Sequence, residues 1–402
     1  MIPVNEPLLR DKELEYITEC IKTGWISSQG RFIEEFEERF SEYIGMEHGV
    51  AVSNGTVALQ LALKALNLKP GSEVIIPTFT IISCALACIY NDLKPVLVDS
   101  EPDTWNMNVS QIEKKINPKT RAIMPVHIYG HPVDMDPVTE IAQKYNLYII
   151  EDAAEAHGAE YRGQKAGGSR QEAVGREKRK EGRGQKTEDR GQKIEWEKVG
   201  SFGDISCFSF YANKIITTGE GGMVLTNDDE LADSLKRLRN LSFLPEKRFY
   251  HQELGFNFRL TNLQAAIGVA QMERIDEHIE IKRKNAKLYT QLLADIPYIQ
   301  LPIEKEWAKN VYWMYGIVID ESIGMNGEQF TKRLAEEGIT TRPFFYPMHQ
   351  QPVFKSMGLY KNENYPVAER IARQGLYLPS GLTLTEEQIE KIAATVKAVI
   401  FQ

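Results

Sequence analysis

The sequence predicts an α/β protein, with a large unit around a mostly parallel sheet and a smaller α+β unit toward the C-terminus. Two patterns carry that expectation. Between Val50 and Asn227, short β-branched runs alternate with amphipathic stretches, and the runs are apolar throughout rather than at every second position. Strands of that kind are buried on both faces, as in a parallel sheet covered by helices. From Thr261 to about Leu293, apolar residues return at helical intervals over a length that can join two units.

Along the chain, residues 50–53 read as the first strand and 56–66 as a helix with apolar spacing of three and four. Residues 74–77, 95–99, 122–127 and 147–150 are further strands, separated by helical segments. Two more follow at 205–210 and 222–226, then a helix from Asp229. The stretch from Thr261 is helical with a break near Asp276. Beyond Tyr298 a strand at 315–319 mixes with helices at 327–337 and 386–400. The chain therefore divides into a large domain, 1–265, and a linking helix with a small C-terminal domain, 266–402.

Residues 166–199 interrupt this order. They are dense in Arg, Lys, Glu, Gly and Gln, and Arg-Gly-Gln-Lys occurs at Arg162, Arg183 and Arg190. So little apolar surface cannot offset the entropy of ordering, and a flexible surface insertion is expected. A basic binding arm is the other reading, weakened by the acidic residues mixed throughout.

The net charge of −8 leaves no general basic face for nucleic acid or an acidic membrane, although a phosphorylated small molecule needs only a local site. The start, Met1-Ile2-Pro3-Val4-Asn5-Glu6-Pro7, has no basic residue and no apolar run, so a signal peptide is not expected there. The longest uncharged apolar run, 81–90, is about half of the ~20 residues a spanning helix requires. A soluble, cytoplasmic protein is expected. Cys84 and Cys88 share a helical face, but no His or second Cys pair accompanies them at zinc spacing, so they read as small buried residues and no metal is expected.

Three motifs carry chemistry. Ser53-Asn54-Gly55-Thr56 ends a strand and opens a helix, where free N–H groups and the helix dipole suit an anion, although a plain helix cap reads the same way. Glu151-Asp152-Ala153-Ala154-Glu155-Ala156-His157 follows a buried strand. Ligands bind at such strand ends, and a carboxylate there wants a cationic partner, or else Asp152 simply caps the next segment. In Ser209-Phe210-Tyr211-Ala212-Asn213-Lys214-Ile215-Ile216, Lys214 lies among apolar and small residues rather than charged ones. Burial lowers a lysine's pKa and prepares it to form a Schiff base.

Together with Gly219-Glu220-Gly221-Gly222, Pro125-Val126-His127-Ile128-Tyr129-Gly130 and Gly255-Phe256-Asn257-Phe258-Arg259-Leu260, these motifs resemble the DegT/DnrJ/EryC1/StrS sugar aminotransferases. That family belongs to the aspartate-aminotransferase-like (fold type I) enzymes, and the resemblance spans the chain apart from the insertion. It implies pyridoxal 5'-phosphate (PLP) as cofactor, with Lys214 as the catalytic lysine that forms the Schiff base and moves the proton. Asp152 would pair with the pyridine nitrogen, and Gly55, Thr56 and Ser209 would hold the phosphate. The family's homodimers share their sites, here through Asn257 and Arg259.

Two positions depart from the family pattern. Glu155 stands where many members have Gln near the cofactor's phenolic oxygen, so it must be protonated or hydrogen-bonded there. Ile81 stands where many place an aromatic residue over the ring.

Finer features resemble members that aminate GDP-4-keto-6-deoxymannose with glutamate as donor: Trp313-Met314-Tyr315-Gly316 and Arg342-Pro343-Phe344-Phe345-Tyr346-Pro347-Met348-His349. Arg342, Tyr346 and His349, with His127 and Trp313, would then contact the nucleotide sugar, or the segment is only a strand-edge turn fixed by two prolines. A family dehydratase would carry His in place of Lys214. A UDP- or dTDP-linked substrate and a non-catalytic PLP-binding regulator remain alternatives.

Overall fold

Nine strands in chain order lead to the site: β1 (His48–Val52), β2 (Glu73–Pro77), β3 (Lys94–Val98), β4 (Thr120–Ile123), β5 (Tyr148–Asp152), β6 (Glu160–Tyr161), β7 (Glu197–Lys198), β8 (Ile205–Ser209) and β9 (Gly222–Thr226). The computed structural model describes residues 1–162, 196–244, 246–247 and 249–401. The central sheet has the order β1-β9-β8-β5-β4-β2-β3. β3, β2, β4, β5 and β8 pair in parallel, and β9 runs antiparallel to both β8 and β1. Every strand but β9 therefore points the same way, and the C-terminal ends of β1, β5 and β8 open on one edge. That edge is where α/β sheets bind ligands.

The uniform apolarity of the strands has its cause here. Val74, Ile75 and Ile76 of β2, Ile150 of β5 and Met223, Val224 and Leu225 of β9 are all fully buried, with both sheet faces covered. The parallel α/β expectation holds. The strand expected over 122–127 is shorter, because β4 ends at Ile123 ahead of Pro125, which has no N–H to give a ladder.

The helical stretch from Thr261 is two helices, Asn262–Met272 and Ile275–Leu293. Thr261 and Gln264 cap the first reciprocally. The break falls at Arg274, whose φ of −130° leaves the helical region, two residues before the expected position.

The small unit is an antiparallel sheet of β10 (Ile299–Gln300), β12 (Tyr315–Ile319), β14 (Gly375–Leu378) and β13 (Arg342–Pro343), packed on helices that include Gly327–Glu336 and Glu386–Ile400. β11 (Ala308–Lys309) joins β6 and β7 instead. Ile2 is buried in the core of this unit, between Gly338 O and Thr340 N. The chain's start, placed by the sequence with domain 1–265, thus packs on the C-terminal unit.

Residues 163–195, most of the expected insertion, lie outside the described residues. The end of the 166–199 segment is built into the fold: Glu197 pairs with Tyr161, Lys198 with Glu160, and the fully buried Val199 donates to Ala159 O at 2.9 Å. Among the described residues, no helix is long and apolar enough to cross a membrane.

Candidate active site

The first wall is the start of helix Gly55–Ala65. Asn54 caps it by accepting from Val57 N at 3.0 Å, which leaves the leading N–H groups of Gly55 and Thr56 without helical partners. A Cβ on Gly55 would sit 2.7 Å from Ser209 Cβ, so only glycine lets this helix end approach the end of β8. The Thr56 and Ser83 hydroxyls meet at 2.8 Å, and Ser209 Oγ is only loosely held, 3.4 Å from Tyr211 N. Hydroxyls and N–H groups thus converge with the positive end of a helix dipole, a cradle for an anion.

Asp152 ends β5 and is 3% exposed. Cys84 Sγ donates to its Oδ2 at 3.1 Å and Ala154 N to its Oδ1 at 3.1 Å, while burial pushes its pKa up. Glu155, 5% exposed, accepts from Tyr129 N at 2.8 Å, and burial raises its pKa to about 7. Lys214 Nζ lies 4.0 Å from Glu155 Oε1 and 3.7 Å from the centre of the Trp313 ring. Burial lowers the pKa of Lys214, against the pull of Glu155 and Asp152. An amine made easier to deprotonate, two buried carboxyl groups and an anion cradle therefore share one edge of the sheet.

Comparison with known proteins decides the family. Residues 7–397 match the model of the DegT/DnrJ/EryC1/StrS aminotransferase family. The chain belongs to the DegT/DnrJ/EryC1/StrS aminotransferases. It is similar to a GDP-perosamine synthase of Caulobacter vibrioides, 41% identical over 99% of this chain and 98% of that one. A GDP-perosamine synthase of Escherichia coli O157:H7 is 40% identical over 98% and 97%. Among solved structures, DesV of S. venezuelae matches with a TM-score of 0.83 at 30% identity, covering 99% of each chain.

This DegT/DnrJ/EryC1/StrS member is accordingly a fold-type I, PLP-dependent aminotransferase. Its residues fit the cofactor: the cradle at Gly55 suits a phosphate, the buried Asp152 a protonated pyridine, and Lys214 a carbonyl.

In this aminotransferase the structure brings Gly55, Thr56, Asp152, Glu155, Ser209 and Lys214 to one edge. Ile81 stands at the start of helix Ser83–Ile89 and is 44% exposed. Arg259 Nε donates to Asn257 Oδ1 at 2.9 Å and Nη1 to Asn240 Oδ1 at 3.1 Å. Arg259 also lines an open cavity of about 1060 Å³ with Trp25, Ile26 and Arg239, and Lys214 does not line it. Arg342 and Tyr346 are exposed.

Three expected substrate contacts are buried in the chain. His127 is fully buried, with Nδ1 accepting from Val133 N at 3.0 Å and Nε2 on Glu151 at 3.1 Å. His349 spends both nitrogens on Thr78 Oγ1 and Glu369 Oε1, each at 2.9 Å, and so ties its segment to the end of β2. The buried Trp313 turns its ring to Lys214 and its Nε1 to Asn213 O at 2.7 Å, which holds it beside the lysine.

The sequence reading missed Cys84 and Ser83 as parts of the site. Their position at a helix start following β2 was the only available signal. His157, quoted in the motif, is core: buried among Phe40, Phe208 and Phe210, with its pKa pushed down to about 3 by burial.

Proposed function

We propose that the enzyme transfers the amino group of glutamate to C4 of GDP-4-keto-6-deoxymannose, giving GDP-perosamine. The observation that carries this reading is the near-full-length similarity, 37–41% identical, to three proteins named GDP-perosamine synthase. Bound PLP supplies the electron sink that makes the donor's α-proton acidic.

The rest is work for this chain. Gly55 and Thr56 N–H groups and the Ser209 hydroxyl hold the phosphate, and Asp152 keeps the pyridine nitrogen protonated. Lys214, with its pKa lowered by burial, would provide the amine that holds the cofactor's carbonyl carbon and the base that moves the donor's α-proton. Glu155, whose pKa burial raises, would sit near the phenolic oxygen, where its raised pKa favours a proton-bearing carboxyl over a second negative charge. Arg342 and Tyr346, both exposed, meet the nucleotide sugar, the arginine at its diphosphate.

Asn257 and Arg259, the latter lining an open cavity with Trp25 and Ile26, complete the phosphate site of a second copy, which makes the active unit a homodimer. The division into domains 1–265 and 266–402 and a cytoplasmic location belong to the same proposal.

The test is a panel of GDP-, UDP- and dTDP-linked keto sugars, assayed for glutamate-dependent amination. The GDP-linked 4-keto-6-deoxymannose should react fastest, with 2-oxoglutarate released. Faster turnover of a UDP- or dTDP-linked sugar would reassign the substrate, and no turnover of any would favour a regulator. Borohydride reduction and peptide mapping should place the cofactor on Lys214, and a label on another lysine would overturn the site.

A further inference from the structure

Lys282 is a buried lysine that the proposed chemistry does not use. It sits on the linking helix Ile275–Leu293, 2% exposed. Its Nζ donates to Trp313 O at 3.0 Å and to Ser380 O. No carboxylate pairs with it among the described residues, and burial alone pushes its pKa down to about 7. An unpaired buried ammonium is costly, whereas a neutral amine still offers both hydrogen bonds. Leucine or methionine would fill the same space more cheaply, so what the amine adds is its two fixed acceptors.

Both acceptors lead toward Lys214. Trp313 places its ring 3.7 Å from Lys214 Nζ and donates its indole N–H to Asn213 O at 2.7 Å. The same Asn213 carbonyl accepts from Asn5 Nδ2 at 3.1 Å. Ser380 N donates to Val4 O at 2.8 Å, so the Ser380 turn anchors the segment that delivers Asn5. One amine on the linking helix therefore ties together the two arms that grip the residue before Lys214.

We propose that Lys282 is a positioning residue that holds Trp313 against Lys214 and thereby sets the proton affinity of the nitrogen at that position. This rests on the reading of Lys214 as the cofactor-bearing lysine. An aromatic face beside a cationic nitrogen stabilises the charge. Loosening the ring must then make the nitrogen easier to deprotonate.

The test uses the full-length, cofactor-loaded enzyme and follows the pH midpoint of the bound cofactor's visible absorption, in parallel with thermal stability. Lys282→Met should move the midpoint to lower pH by about half a unit to one unit. Trp313→Leu should move it in the same direction, and the double variant no further, because the two act as one unit. Lys282→Arg, which keeps the donors, should stay closer to the parent than Lys282→Met. If Lys282→Met does not fold, Lys282→Gln is read in its place, with the same two outcomes.

An unmoved midpoint in the variant, where Trp313→Leu does shift it, overturns the proposal and leaves Lys282 as fold support only. Equal shifts in Lys282→Met and Lys282→Arg overturn it as well. A parent whose absorption does not depend on Lys214 would instead overturn the cofactor-lysine reading and this inference with it.

Discussion

The Cys84 thiol donates a hydrogen bond to Asp152 Oδ2 at 3.1 Å, from a helix start to the carboxyl-terminal end of a central strand. Burial raises the thiol's pKa well above the ordinary range, so it stays protonated and remains a donor. The bond favours the ionised form of Asp152, against the burial that opposes it. Cys84→Ala should weaken PLP binding by roughly fivefold, the equivalent of one ordinary hydrogen bond at ~1 kcal/mol because a thiol is a weak donor, and Cys84→Ser should restore most of it. Cofactor titration by absorbance reads both, and an alanine variant that binds like the parent would show the thiol to be mere packing.

Glu155 gives a pH signature. Its pKa in the folded chain, about 7, is raised above the ordinary 4.5. A raised pKa means that its contribution to stability is present below about 4.5 and is lost as pH rises to about 7. Glu155→Gln cannot ionise and escapes this loss. In cofactor-free protein the variant should gain on the parent across that window by up to ~3 kcal/mol, then hold a constant lead. Denaturation at a series of pH values measures the difference, and parallel curves would refute the assignment.

The homodimer can be examined by complementation. Lys214→Ala and Arg259→Ala homodimers should each be inactive or nearly so. In a heterodimer of the two, one site collects both defects and the other neither, so part of the activity should return. Heterodimers that form but stay inactive would argue against a shared site.

The insertion offers a deletion test. Glu160 and Tyr161 pair with Lys198 and Glu197, which places the two ends of the segment side by side. Removing residues 166–195 and joining 165 to Trp196 would close β6 and β7 with a short hairpin loop, and loop closure costs change slowly with length. Turnover and cofactor affinity should stay within a few-fold of the parent, with stability equal or higher. A variant that folds and binds PLP but no longer turns over would give the segment a part in the reaction.

Much of this protein could be read along the chain. The apolar strands announced a covered sheet because burial on both faces leaves no position for a polar residue, as in Val74, Ile75 and Ile76. Lys214 stood out because its neighbours carry no charge, and Gly55 because a helix start at a strand end calls for close approach. Boundaries were less legible: β4 stops at Ile123 because Pro125 lacks an N–H, and the long helix breaks at Arg274 rather than near Asp276.

The α/β class and the family were legible along the chain, and Lys214 was singled out there, since these depend on local periodicity and on motifs that are contiguous in the chain. Which polar groups are already hydrogen-bonded within the chain was set by packing. His127 and His349 sit in motifs that suggest a ligand, yet Glu151 and Val133 consume one, and Thr78 and Glu369 the other. Cys84 looked inert until the fold set it against Asp152, 68 residues away. Local pattern fixes which face a side chain takes, whereas its hydrogen-bond partner is chosen by which distant segments the packed core brings together, because a buried polar group must be satisfied by whatever stands beside it.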